Sequence, residues 1–585
     1  MRCSRFRTLA FTLAPLACLA SFTSVASAQD GPQWEKQIKI ESDFRFRLED
    51  ESLGDVFTKR TLEQGVERNQ NILGTKLSVG WENLRAVAQA DLVLFGYQSQ
   101  IDGLEGLTEI EQLQPYRIDI NELYVQVKDL LVDGFQIRVG QQIVQWGVGD
   151  QFNPTNNLNP EDLIDPLLFG KQQGNFMIRG DFWVTDEFSL QGVLVPLFKA
   201  ARLPVSSQLQ LLALDRIPII DDKLRWRINT ERSVALGALK TPTAVDTVTV
   251  IQPEPEFENM QVGFKMGGTV GEQDWSLSYY NGRTDFPVPL KNHTRQSDTP
   301  ICTEKGNCSN GALLTDTTLH FPKMHVYGLN LAGEFNPFKA VDPNIGGIGY
   351  RLEGALVVPQ EAEMILSNDA ISLGGFSIPE GEYDYDGDGK PGGKRPLVVS
   401  DQPYLKWTLG LDYTFGQHLY VNTMWVHGFV DEYGAGDWMF EGRTPRLGDT
   451  VGDRADLATL APCALAQDGS QCAHEILRPR QGDYWVIGMD VKFLDDQALA
   501  RLFAILEMSG YIESTVLDGV RVERKLDWFT PEGFSAAIFP EFSYNFGNGL
   551  ELGLGALFNI GKSYTKFGDP AAGGSLTFAR ARYTL

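Results

Sequence analysis

One pattern limits what this chain can become more than any other. Apolar and polar side chains alternate with period two, in stretches of about ten to thirteen residues, along its whole length. Ile38, Ile40, Phe44, Phe46 and Leu48 fall on one face of an extended segment, and Lys39, Glu41, Asp43, Arg45 and Arg47 fall on the other. Leu405 to Phe415 repeats this, setting Leu405, Trp407, Leu409, Leu411, Tyr413 and Phe415 against Lys406, Thr408, Gly410, Asp412 and Thr414. Leu550 to Ile560 does so again, and the last residues set Ala579, Ala581, Tyr583 and Leu585 against Arg580, Arg582 and Thr584. Successive side chains of a strand point to opposite faces, so each stretch predicts a strand with one apolar and one polar face.

A sandwich in water also alternates, and the links decide between the two. Eighteen strands are predicted, beginning near residues 38, 71, 84, 116, 134, 175, 187, 259, 273, 323, 346, 402, 417, 482, 499, 534, 549 and 574. Short links fall at Glu82-Asn83-Leu84, Thr185-Asp186-Glu187, Gly271-Glu272-Gln273, Gly416-Gln417 and Gly547-Asn548-Gly549. Long ones cover 49–70, 97–115, 147–174, 198–258, 283–322, 360–401, 431–481, 512–533 and 561–573. Links sorted this way predict an all-β fold, a transmembrane antiparallel up-and-down β-barrel. Its short turns are periplasmic, its long loops external, and both termini lie on the short-turn side. Closure satisfies every backbone group in lipid and leaves no edge. Sixteen or twenty strands also fit. The phase slips around Asn121-Glu122, as at a bulge, and Leu224 to Leu239 reads either as a further hairpin or as a segment folded inward.

The N-terminus predicts export. Arg2, Arg5 and Arg7 precede an apolar run from Leu9 to Ala20, and Ala26-Ser27-Ala28 forms an A-x-A cleavage site. A lipid anchor at Cys18 is the alternative, but Pro15 stands where such a signal usually has Leu. Residues 1–28 are therefore read as a cleaved signal peptide, 29–37 as a short periplasmic segment, and 38–585 as a single barrel domain. Loss of the leader's three arginines takes the net charge from −25 to −28, which excludes nucleic acid as a partner. Beyond residue 28 no apolar run is long enough for a membrane helix. The four remaining cysteines form close pairs, Cys302 with Cys308 and Cys463 with Cys472, and an oxidising compartment makes each pair an expected disulfide. Metal thiolate is the alternative, with only His474 nearby.

The run Arg138-Val139-Gly140-Gln141-Gln142-Ile143-Val144-Gln145-Trp146-Gly147, with Asn153-Pro154-Thr155-Asn156-Asn157-Leu158-Asn159-Pro160 after it, resembles a proteobacterial family of outer-membrane barrels of unknown function. There a GRQxVxWG strand leads into an Asn-Pro loop, although Gln141 stands where that family often has Arg. Tyr420-Val421-Asn422, His427-Gly428-Phe429 and Asp431-Glu432 also look like it. A more distant similarity runs to alginate-export barrels and substrate-selective porins. The resemblance implies passage across the outer membrane of a Gram-negative bacterium, with apolar, lipid-like cargo and a periplasmic carrier or exporter as partner. Outer-membrane lipids and the barrel-insertion machinery are the other expected partners. The final Leu585 departs from the usual Phe of such barrels, with Tyr583 two residues before it.

With apolar faces toward lipid, the inward set holds both charge signs, and either a solvated ion-paired wall or a wet conduit follows. Arg45, Arg47, Arg580 and Arg582 form a basic stripe where the first and last strands meet, an expected attractor for an acidic group on cargo. The 147–174 segment carries Asp150, Glu161, Asp162 and Asp165 among prolines and asparagines, and reads either as a packed external loop or as a constriction folded into the pore. Asp384, Asp386 and Asp388 begin a D-x-D-x-D-G calcium loop, but Arg395 replaces the twelfth-position Glu. It is either an acidic solvated loop or a structural calcium site completed by other oxygens such as Glu382; no cofactor is otherwise required. No zinc, nucleophile-elbow or barrel-phospholipase motif accompanies the six His, so an enzyme is not expected, and His427 reads as a girdle or pore-wall residue. The expected function is an outer-membrane channel or transporter for a small or apolar molecule. The alternative is a closed-lumen barrel acting as binding or scaffold partner of an envelope export system, and a barrel hydrolase is a distant third.

Overall fold

The computed structural model describes residues 32–50, 64–95, 116–168, 170–204, 206, 218–221, 224–225, 227–228, 243–298, 301–302, 308–309, 311–337, 346–373, 376–434, 474–517 and 520–585. The leader and the pair Cys463 and Cys472 lie outside the described residues.

All eighteen expected strands are present and pair in chain order into one closed antiparallel sheet. They are β1 (Gln33–Arg47), β2 (Gly65–Trp81), β3 (Leu84–Phe95), β4 (Tyr116–Val127), β5 (Phe135–Gln142) and β6 (Asn175–Thr185). Next come β7 (Phe188–Val195), β8 (Gln261–Val270), β9 (Gln273–Arg283), β10 (Lys323–Phe335), β11 (Ile348–Pro359) and β12 (Tyr404–Phe415). The last six are β13 (Leu419–His427), β14 (Asp483–Phe493), β15 (Ala498–Glu507), β16 (Ser535–Asn545), β17 (Leu550–Gly561) and β18 (Leu576–Thr584). The ring closes where β18 pairs with β1, from Lys39↔Thr584 to Arg47↔Leu576. Leu585 and Ile38 exchange backbone hydrogen bonds of 2.9 and 3.3 Å across this seam.

Burial runs inside out. On β1, Glu41, Asp43, Arg45 and Arg47 are buried while Phe44 and Phe46 are exposed; on β12, Lys406 and Thr408 are buried while Leu409 and Leu411 are exposed. An apolar outer band with charged residues pointing inward is what a barrel solvated by lipid requires, because charge is tolerated only where partners or water reach it. Gly271 (φ +65°) and Gly416 (φ +62°) occupy left-handed positions in two of the tight turns, where a Cβ would add strain.

Two expectations need correction. β1 begins at Gln33 and pairs with β2 from Gln33↔Gly80 onward, so most of the presumed periplasmic segment 29–37 is strand. Alternation reveals only the band that touches lipid; the hydrogen-bonded ladder continues past it through Glu35 and Lys36, polar on both faces. Of the two readings of Leu224 to Leu239, the hairpin fails at the described residues, since 224, 225, 227 and 228 are helical, and Leu224 and Arg225 are buried. The long links also contain strands of their own. Thr243–Val250, Val288–Gln296, Leu313–His320, Ile365–Asn368 and Gly381–Glu382 form a five-stranded sheet with two parallel pairings. His474–Leu477, Tyr511–Leu517 and Val520–Leu526 form a second sheet of three. These segments lie in the long links and pair among themselves rather than with the barrel wall, so lipid does not sort their residues. The phase slip on β4 is a bulge: Gln89 faces Glu122 and Ala90 faces Ile120, leaving Asn121 as the extra residue.

Candidate functional site

The segment between β5 and β6 crosses the lumen, and its sequence explains how an irregular chain survives there. Buried backbone groups outside a sheet need partners, and asparagine amides supply them. Asn156 Oδ1 accepts from the N–H groups of Trp146 (2.5 Å) and Gly147 (2.9 Å), and Asn153 Oδ1 accepts from Gly149 (2.7 Å). Asn159 accepts from Val144 N (2.8 Å) and donates to the carbonyls of Gln142 (2.9 Å) and Gln173 (2.8 Å). Pro154, Pro160 and Pro166 bring no N–H to satisfy. The Trp146 ring is seated against Gly263, where a Cβ would come within 2.6 Å of it.

One side of the crossing is clamped by Glu353 of β11, which is fully buried. Its carboxylate accepts from Val148 N (2.8 Å), Gly149 N (2.9 Å), Thr155 N (2.8 Å) and Thr155 Oγ1 (2.7 Å). Lys265 and Asn330 donate to the Trp146 carbonyl at 2.9 and 3.0 Å, and Thr408 donates to that of Phe152 at 2.9 Å. Asp150 accepts from Arg351 and, at 2.9 Å, from Asn422. The other side is fixed by Asp165, whose two oxygens take Arg45 Nη1 and Nη2 at 2.6 Å each, with Arg68 at 3.1 Å. Burial alone would raise the Asp165 pKa, but the hydrogen bonds and charge of Arg45, then Arg68, hold it below the usual carboxylate range.

The segment is therefore inside the barrel, and its four acidic residues are not a row of open charges. Asp150 and Asp165 are anchors, and Asp162 pairs with Lys171 at 2.9 Å. The basic stripe is corrected likewise. Arg45 is fully buried between Asp43 and Asp165; Arg47 donates to the Gly573 carbonyl and meets Glu67 at 3.5 Å. Arg580 and Arg582 face Glu41 at 3.6 and 3.1 Å. Acids two residues apart on the same face of β1 neutralise the arginines that the strand pattern brings beside them.

Glu161 differs from the other three. It is buried with no ion-pair partner among the described residues; Gln172 donates to it at 3.4 Å, and its own N–H donates to Asp285 at 2.8 Å. Burial first, then the neighbouring Asp285 and Asp162 charges, push it up to about 8, and burial pushes Asp285 up to about 6. A carboxyl raised in the docked state loses docking strength once the freed state ionises. The loss starts above the ordinary value of 4.5 and is complete near 8. Docking of the segment is expected to be firmest at about pH 5 and to loosen toward about pH 8, read as rising channel conductance or gating noise. Glu161→Gln should flatten the part of that profile above about pH 6; superimposable profiles for the two proteins would exclude Glu161 as its source.

Above the crossing lies a chamber of about 1130 Å³. Its floor includes Phe152, Pro166 and Leu168, its walls Tyr404, Val426, Phe539 and Leu557, and its roof Val245, Leu313, Leu319 and Leu366 of the five-stranded external sheet. Phe152 stacks on Phe429 (5.5 Å) and Phe429 on Tyr484 (3.7 Å). Lys566 lies over the Phe429 ring and pairs with Asp431 (3.2 Å) and Glu432 (3.1 Å). Glu432 in turn accepts from Tyr484 and from the N–H groups of Phe429 and Gly482. Asp150 and Phe152, which lie between the two runs quoted for the first stretch, thus meet the later stretch here, Asn422 on Asp150 and Phe429 on Phe152. The sequence pattern puts Lys406 on the polar face of its strand without singling it out, and gives no sign of the roles of Arg68, Asp285 or Lys566.

His427 stacks on Trp407 (6.0 Å) and meets Asp483 at 3.0 Å. The carboxylates of Asp384, Asp386 and Asp388 converge to within 4.8 Å. Asp384 already accepts from the N–H groups of Gly387 (2.6 Å) and Gly389 (2.8 Å). Glu382, expected to complete a calcium site, instead pairs with Arg395 at 2.8 Å. Cys302 and Cys308 face each other in a two-stranded antiparallel ladder.

No protein-family profile matches the chain, and no curated protein does. Among solved structures it is similar to Pseudomonas aeruginosa OccK9 (OpdG), with a TM-score of 0.42 and 9% identity over 94% of this chain and 98% of that one. It is also similar to Pseudomonas aeruginosa OpdK with vanillate, at 0.41 and 9% over 94% and 98%. A third is the Salmonella typhi OmpF complex with daunomycin, at 0.34 and 8% over 95% and 98%.

Proposed function

We propose that this chain is a channel of the bacterial outer membrane that passes a small, largely apolar molecule through a chamber in its lumen. The observation that carries this reading is the chamber itself, bounded below by the 147–174 segment and lined largely by aromatic and aliphatic side chains, in a barrel whose inner face elsewhere also carries buried charge. Apolar lining in a lumen that could have been wholly polar suits a guest that is poorly hydrated. The 147–174 segment acts as a constriction, with Asp150 and Asp165 as its anchors. Apolar, lipid-like cargo and a periplasmic carrier or exporter belong to this proposal, as does export behind a cleaved leader. No catalytic role is part of it.

The test is single-channel recording of the refolded mature chain in a planar bilayer. Small ohmic steps, narrower than an unobstructed barrel of this size would give, are expected. A folded but silent barrel would favour the second reading, a closed lumen serving as a binding or scaffold partner of an envelope export system. The clamps at Glu353 and Arg45 are what favour that reading. Two smaller proposals accompany the main one. A structural calcium at Asp384, Asp386 and Asp388 is to be tested by titration, and disulfides Cys302–Cys308 and Cys463–Cys472 by peptide mapping without reduction.

A further inference from the structure

The chamber has one wall where hydrogen-bond acceptors outnumber donors. Glu161 and Asp285 both line it, and among the described residues neither has an ion-pair partner. Behind them, Asp162 Oδ1 and Gln172 Oε1 are buried with nothing donating to them. Glu161, Asp162 and Gln172 are each less than a tenth exposed. Glu161 receives only the 3.4 Å bond from Gln172, and Asp285 only the Glu161 N–H, while the one oxygen of Asp162 that Lys171 leaves free has no donor at all. Such spare acceptor capacity is costly in a dry site, and it persists most readily where a guest supplies the donor.

The cations around the chamber do not supply it. Lys406 donates to the carbonyls of Phe429 (2.6 Å) and Val430 (3.1 Å). Lys566 is held by Asp431 and Glu432, and Arg478 by Asp569 (2.9 Å) and the carbonyls of Tyr564 and Thr565. Arg283 donates to Phe321 O (2.6 Å) and Asn259 Oδ1 (2.7 Å). Nor does the geometry suit a bare metal ion. Among the described residues the convergence of three carboxylates that a metal needs occurs at Asp384, Asp386 and Asp388, not here. Two carboxyl groups at the edge of an apolar space, with the Phe286 ring and Leu203 on the same lining, match an organic ammonium group, whose charge favours their ionised form and which brings donors together with an apolar body.

We propose that Glu161 and Asp285 form the recognition end of the chamber, binding the protonated amine of a small aromatic or aliphatic guest whose apolar part rests on the chamber wall. This rests on the chamber being a cargo site, as the functional reading has it. It names a positively charged amphipath as the cargo class, in place of the acidic group that the arginine stripe suggested.

Equilibrium binding to the refolded mature barrel in detergent tests it, with phenethylammonium, 3-phenylpropionate and phenethyl alcohol as probes of one shape and three charges. Phenethylammonium should bind at least about tenfold tighter than the other two. Glu161→Gln with Asp285→Asn should erase that margin, bringing phenethylammonium down to the affinity of phenethyl alcohol. Asp285→Asn alone, checked for the folded barrel by its heat-dependent gel mobility, should lose part of the margin and serves if the double variant does not refold. Equal binding of the three probes, tighter binding of 3-phenylpropionate, no binding of any, or a margin that survives the substitutions would each overturn the proposal. Bilayer recording separates this from the functional reading. Ammonium preference in a silent barrel would leave the site standing and remove the channel; current without ammonium preference would do the reverse.

Discussion

Replacing Glu353 by Ala is expected to release the lumen-crossing segment and raise single-channel conductance several-fold, with new gating noise. One buried carboxylate serves three backbone N–H groups and the Thr155 hydroxyl. A hydrogen bond to a charged group contributes about 1.5–3 kcal/mol, and a buried donor left unsatisfied costs about 1–3 kcal/mol. If water replaces half of the four, the net loss is still about 3 kcal/mol, roughly a hundredfold in the ratio of docked to free segment. Glu353→Gln keeps the shape but turns an NH2 toward N–H donors, so its conductance should fall between wild type and Glu353→Ala. Conductance and noise indistinguishable from wild type in Glu353→Ala would show that the segment is held elsewhere.

The second large effect is expected at the opposite anchor. Arg45→Met leaves Asp43 and Asp165 buried without their shared cation, and breaking a buried pair in this way costs about 3–5 kcal/mol. The segment should then become accessible to added protease, and the channel should widen as in the Glu353 variant. Arg45→Met combined with Asp165→Leu should recover part of the wild-type behaviour, because the buried Asp165 charge goes with its partner while Arg68, which loses Asp165, keeps the Ile164 carbonyl at 3.3 Å. Asp43 retains Arg580 at 3.9 Å in that double variant. If the double variant is as open as Arg45→Met alone, the pair is not what positions the segment.

The strand ladder could be read from sequence because its cause is local. Lipid on one side and the lumen on the other sort every second residue, and each strand of the barrel carries its own record of that sorting. The bulge at Asn121 was visible for the same reason, as a break in phase. The anchors were not visible, because nothing near Val148 in the sequence points to Glu353, 205 residues away, and nothing near Asp165 points to Arg45, 120 residues away. Proline and asparagine marked residues 147–174 as irregular but left the side of the wall open, since the same amides could have served an external loop. The arginine stripe misled because charges were counted by sign. Register, which sets Glu41 opposite Arg582 and Asp43 opposite Arg580, decides whether such charges remain available.

The seam has a consequence for how the protein matures. Arg45 sits on the first strand, opposite Phe578 of the last, and its complete burial depends on both ends of the chain meeting. Until the final nine residues of the ladder zip onto β1, the Asp165 carboxylate has at best a wet, half-formed socket to enter. The pore is therefore narrowed only by a wall that has finished closing, and a chain stalled before its last strand inserts would present an open trough with its constriction unset.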